Sequence, residues 1–186
     1  MDTWIWVLIA IVAVIVIVVV VWLALSKRRT TKLRDQFGSE YDRTLQQTDS
    51  RREAEADLSA RRERREQLNI RPLTTVAQER YSSQWQQVQS RFVDQPAVSL
   101  GQADELVMKV LRERGYPMDD FDKRAADISV DYPELVEHYR AGQAVSKSAA
   151  SSEATTEDMR QGLVHYRALF EELLGVDSET DRGEVR

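Results

Sequence analysis

Two histidines carry the widest chemical range in this sequence. Glu134 and His138 stand four positions apart, so a helix puts them on one face a turn apart, and His165 lies further along on a segment that can pack nearby. Imidazoles and carboxylates are the ligands that zinc and other borderline divalent ions take, and Asp131 or Asp158 are the carboxylates that could complete such a set. The plainer reading is that both histidines simply flank Tyr139 and Tyr166. A second group is Asp119, Asp120, Asp122, Asp127 and Asp131. Paired carboxylates do general acid and base work in glycosidases, but aspartate is also the residue whose oxygen takes an orphan N–H at a helix start. Several of these positions fall where helices are expected to begin, which favours capping.

The chain has no cysteine, which excludes a thiol nucleophile, a zinc–thiolate site and a disulfide. No Gly-rich phosphate loop, nucleophile elbow or dinucleotide fingerprint occurs. No catalytic, cofactor-binding or metal residue is therefore assigned, no cofactor is implied, and no small-molecule substrate is evident. A membrane-bound enzyme or metalloprotein using His138, His165 and nearby carboxylates is the alternative reading.

The run Arg61-Arg62-Glu63-Arg64-Arg65-Glu66 invites a nucleic-acid or lipid contact, but residues 51–66 hold six arginines against five acids. A phosphate-binding patch needs uncompensated charge, so nucleic acid is not expected. Arg61 stands about 54 Å past Leu25 on a continuous helix, far beyond the ~8 Å screening length at physiological salt. Arg51 with Glu55, and Arg62 with Glu66, suit i,i+4 pairing on a solvated helix.

The element that must position everything else is at the N-terminus. Trp4 to Leu25 carries no charge, and 13 of the 17 residues from Ile5 to Val21 are Ile or Val. A helix of that length spans roughly 33 Å, matching the ~30 Å hydrocarbon layer. Trp4, Trp6 and Trp22 mark its ends, where amphipathic rings favour the interface, and Lys27, Arg28 and Arg29 follow as the headgroup contacts. The run is too long for a signal-peptide core, and its N-terminal flank has no Lys or Arg. The sequence thus predicts a single-pass transmembrane helix in the cell membrane. The positive-inside rule places the C-terminal domain in the cytoplasm, with an extracytoplasmic domain as the alternative. Beyond the run, residues 27–71 hold 13 Lys/Arg against 9 Asp/Glu, whereas residues 72–186 hold 13 against 21. Basic near the anchor and acidic beyond it suits a tethered protein.

The fold class predicted is all-α: an N-terminal transmembrane helix, a charged helical stalk, a small helical bundle and a disordered C-terminal tail. Residues 1–29 are the anchor with its basic flank, 30–71 the stalk, 72–175 the bundle and 176–186 the tail. In the stalk, Leu33, Phe37, Tyr41 and Leu45 make one stripe, Gly38-Ser39 breaks it, and Ser39 with Asp42 reads as a capping box. The stripe then fades, which predicts a solvated helix. In the bundle the apolar spacing predicts five helices. The first is capped by Thr74 or Thr75 and faces inward through Tyr81, Trp85, Val88 and Phe92. The second opens at Asp94 and Pro96 and stops at Gly115. A short third carries Phe121, Ala125 and Ile128, and Asp131 with Pro133 opens the fourth. A Ser/Ala-rich loop or frayed end follows over Val145–Thr155, and Thr155 or Thr156 caps the last helix, which ends at Gly175. Leu135–Ala141 and Leu163–Ala168 echo each other around His-Tyr-Arg, too briefly to define a repeat.

Phe37-Gly38-Ser39-Glu40-Tyr41-Asp42-Arg43-Thr44, Asn69-Ile70-Arg71-Pro72-Leu73, Arg91-Phe92-Val93-Asp94, Arg114-Gly115-Tyr116-Pro117, Arg124-Ala125-Ala126-Asp127 and His165-Tyr166-Arg167-Ala168-Leu169-Phe170 are further marks. Together they resemble an uncharacterised bacterial family, largely actinobacterial, of membrane or secreted proteins of unknown function. The resemblance covers about residues 36–175 and implies no reaction and no catalytic residue. The function expected is a non-catalytic, membrane-tethered helical adaptor or scaffold whose partners are the lipid bilayer and another protein.

Overall fold

A computed structural model describes residues 3–175; within the first helix it describes the side chains of Trp4, residues 11–18, 20 and 21, and those from Lys27 onward. Every regular element among these residues is an α-helix: α1 (Thr3–Phe37), α2 (Ser39–Gln47), α3 (Arg51–Gln67), α4 (Thr75–Arg91), α5 (Pro96–Arg114), α6 (Phe121–Asp131), α7 (Val136–Ala150) and α8 (Thr156–Leu174). The expected all-α class and helical bundle are both present. The tail from 176 to 186 and the side chains of Trp6 and Trp22 lie outside the described residues. Among the described residues no helix is long and apolar enough to cross a membrane, and of the run Trp4–Leu25 only the side chains of Trp4, residues 11–18, 20 and 21 are described. The chain divides into two compact units, Met1–Ser59 and Ala60–Arg186.

In the first unit the basic flank continues α1 without a break to Phe37. Gly38 ends it with φ 48° and ψ −124°, a backbone region open to glycine and strained for any residue with a Cβ. The predicted capping box at Ser39 is absent: Gly38 is the N-cap of α2 and no side chain caps it. Leu33, Phe37, Tyr41, Ala54 and Leu58 are buried, as are Glu40 and Thr44. Segment 30–71 is therefore not one solvated helix, and a single carboxylate shows why. Glu55 Oε1 on α3 accepts hydrogen bonds from the Thr30 hydroxyl of α1 (2.7 Å), the Tyr41 hydroxyl of α2 (3.1 Å) and Arg51 Nε (3.0 Å). Burial favours the neutral acid, but the three donors outweigh it and hold the Glu55 carboxyl below its ordinary value.

In the second unit, α5 packs against α4, α7 and α8, and α7 packs against α6 and α8. Leu100, Ala103, Leu106, Val107, Val110 and Leu111 make α5 the central stripe of the core. Trp85 of α4 stacks on Phe170 of α8, with ring centroids 4.6 Å apart and planes 18° from parallel. The ends follow local chemistry. Thr74 accepts from the Ala77 amide, Pro96 occupies the first turn of α5, and Gly115 closes α5 at φ 98°. Gln95, rather than the predicted Asp94, is the α5 N-cap. Thr155 and Asp158 form a reciprocal capping box on α8, and Gly175 ends that helix in the left-handed region. Two further boundaries differ from the sequence reading. Asp131 is the last residue of α6 rather than the opener of α7, and most of the Ser/Ala-rich stretch is helical, with α7 running to Ala150.

Candidate functional site

His138 sits in the first turn of α7 and His165 in the middle of α8, two helices that pack side by side. Glycine is what lets them come so close. A Cβ at Gly142, one turn past His138, would lie 3.1 Å from three atoms of the Tyr166 ring. A Cβ at Gly162, three residues before His165, would lie 3.0 Å from Val145 Cβ. Hydrogen at both positions brings the two imidazoles into hydrogen-bond contact, with Nδ1 to Nδ1 at 2.9 Å and ring centroids 5.1 Å apart. One ring must donate its Nδ1–H and the other accept with a bare Nδ1, so a single proton lies between them. Burial, then the neighbouring His138 charge, lower the His165 pKa, which favours a neutral ring there.

The tyrosines beside the two histidines point inward and are satisfied. The Tyr166 hydroxyl donates to Asp104 Oδ1 (2.8 Å) and lies 3.2 Å from Ser146 Oγ, and the Tyr139 hydroxyl accepts from Arg124 Nε (2.8 Å). Arg124 also donates to the Asp119 carbonyl (2.7 Å). Burial raises the pKa of both phenols, so they remain protonated.

The carboxylates do not join the histidines. Asp131 Oδ2 accepts from Arg65 Nε (2.5 Å) and the Tyr116 hydroxyl (2.6 Å), while Asp158 is held by the Thr155 amide (2.8 Å) and hydroxyl (2.7 Å). Glu134 is exposed. Among the described residues no group of three or more His, Cys, Asp or Glu side chains could hold a metal ion. Of the aspartate cluster, Asp120 caps α6 through the Lys123 amide, as expected. Asp127 departs from that reading: its side chain is 2% exposed and accepts from Arg64 Nε at 2.8 Å. The basic run therefore divides its work. Arg62 pairs along the helix with Glu66 (3.8 Å), whereas Arg64 and Arg65 grip the two acids of α6. Their partners lie 63 and 66 positions away, so no local spacing signals them.

The described side chains of α1 bear on the membrane-interface residues. Trp4 is 62% exposed, Lys27, Arg28 and Arg29 are exposed, and Arg29 donates to Ser59 Oγ (2.9 Å). Arg29 is thus partly engaged by α3 as well as facing solvent. In the second unit a groove of about 380 Å³ opens between α4 and α8 over the Trp85–Phe170 stack, edged by Ser82, Gln86, Gln89 and Glu171. Comparison with protein-family models, curated proteins and solved structures finds no match.

Proposed function

We propose that this chain is a single-pass, membrane-tethered helical adaptor, held in the bilayer by Trp4–Leu25 and recruiting a partner protein through its helical body. The observation that carries the reading is the state of α1. Ile11, Val12, Val14, Ile15, Val16, Ile17, Val18, Val20 and Val21 are each at least half exposed, and consecutive helical positions point in every direction. Burying such a side chain stabilises by roughly 1.5–3 kcal/mol, so an apolar rod whose described side chains are this exposed favours acyl chains over water. The exposed Lys27, Arg28 and Arg29 follow directly on the same helix, where they suit anionic headgroups. Under the positive-inside rule the body lies in the cytoplasm.

The absence of cysteine makes the test clean. Single cysteines replacing Ser83 and Asp2 are labelled with a membrane-impermeant maleimide in intact cells and after lysis. Adaptor topology predicts that the Asp2 position is labelled from outside and the Ser83 position only after lysis, with the chain resisting alkaline extraction. Release of the intact chain by alkaline carbonate overturns the tether, and the opposite labelling pattern places the body outside the cell. For the adaptor role, a protein partner should co-purify in mild detergent and be lost when the groove is charged by Gln86→Arg. Recovery of the chain as a partner-free monomer after crosslinking in cells overturns that role.

A further inference from the structure

The carboxylates that could have completed a metal set are engaged elsewhere, yet the two imidazoles converge on one point. We propose that His138 and His165 form a two-imidazole clip for a divalent transition-metal ion of the copper, nickel or zinc class. The ion binds through both Nδ1 atoms and completes its shell with water.

Three features support the clip. First, the ligands are placed before any ion arrives: each ring projects from a packed helix, and the contacts at Gly142 and Gly162 fix the separation of those helices. Second, the distance is close to what ligation needs. With metal–nitrogen bonds of roughly 2.0–2.1 Å, a tetrahedral ion wants its two nitrogens roughly 3.3 Å apart. The present separation is 2.9 Å, so a small rotation of the two side chains suffices. Third, both rings are only partly buried, which leaves room for water at the open positions. Imidazole nitrogen favours copper, nickel and zinc over magnesium or calcium, which prefer oxygen ligands. On binding, the ion takes the lone pair of each Nδ1. The proton now between the rings moves to Nε2 of the ring that gave it up, so no proton leaves the pair and no other reactant is needed. The ion then cross-links α7 to α8.

The test uses the untagged full-length chain in detergent. Helix melting is followed by circular dichroism with Cu²⁺, Ni²⁺, Zn²⁺ or Mg²⁺. The midpoint should rise with the transition metals, most with copper, and should not move with magnesium, because an ion that binds only the folded state stabilises it by mass action. His138→Gln and His165→Gln should each remove the gain. The Cu²⁺ electron paramagnetic resonance spectrum of the wild type should show splitting from two nitrogens, a readout that does not depend on whether either variant folds. An equal copper gain in the doubly substituted chain, or a wild-type spectrum without nitrogen splitting, overturns the clip.

Discussion

Two glycines in helices, one crowded and one open, give opposite predictions for the same substitution. At Gly162 on α8 a new methyl would stand 3.0 Å from both Cβ and Cγ1 of Val145 on α7 and 3.1 Å from Leu100 Cδ1 on α5. Leu100 is fully buried, and Val145 would meet the new methyl with its Cβ, an atom attached directly to its backbone, so neither yields easily. Overpacking of this kind costs about 1–3 kcal/mol, against about 1 kcal/mol gained by replacing glycine with alanine inside a helix. The net for Gly162→Ala is a loss of about 1 kcal/mol. Gly101, on α5, has nothing within 4 Å of the same position and is exposed. Gly101→Ala therefore keeps the whole propensity gain of about 1 kcal/mol. The two variants should differ by about 2 kcal/mol, roughly 4–8 °C in melting midpoint for a chain of this size. Thermal melts followed at 222 nm on both, beside the wild type, make the comparison. If both gain stability equally, α8 is not seated on α5 and α7 as described, and the close approach that brings His138 to His165 loses its basis.

Other perturbations probe separate parts of the chain. Gly115→Ala combines φ 98° with a Cβ placed 2.5 Å from the Asn69 carbonyl oxygen, so it should cost at least roughly 2 kcal/mol by urea unfolding. Arg64→Ala leaves the buried Asp127 carboxylate without its cation and should cost about 2 kcal/mol, whereas Arg64→Ala combined with Asp127→Asn should recover part of that in a double-mutant cycle. Glu55 has a folded pKa below its unfolded value, so the unfolded chain takes up the proton first as pH falls. Its contribution is therefore complete above about pH 4.5 and lost as pH falls through the lower folded value. Amide exchange in α2 should accelerate over that acid range in the wild type and change less in Glu55→Gln.

What could be read in advance was whatever is local. The α4, α5 and α8 starts and the Gly115 and Gly175 stops follow from hydroxyls, proline and glycine within a few residues of each end. Apolar spacing found Tyr81, Trp85 and Val88 on one face of α4. The segment 30–71 was harder, because α3 buries little more than Ala54, Leu58 and Ser59 amid charge, too narrow a stripe to distinguish from a solvated helix. Asp131 misled for a related reason: ahead of Pro133 it has the sequence context of a cap, but its carboxylate is claimed by Arg65 and Tyr116 from distant elements. The echo around His138-Tyr139-Arg140 and His165-Tyr166-Arg167 proved to carry structural content. Both tyrosines are buried and both histidines meet at the same helix interface, although nothing in either segment alone specified that they would face each other.

Four tryptophans occur in the sequence, and three of them, Trp4, Trp6 and Trp22, belong to the apolar run. Trp85 alone stands in the second unit, 5% exposed and stacked on Phe170. With the other three replaced by phenylalanine, the molecule would carry a single intrinsic fluorophore whose emission reports on how tightly the first and last helices of the bundle are apposed. Anything that occupies or prises open the seam above that ring would register as a change in colour and quenching, without an added dye.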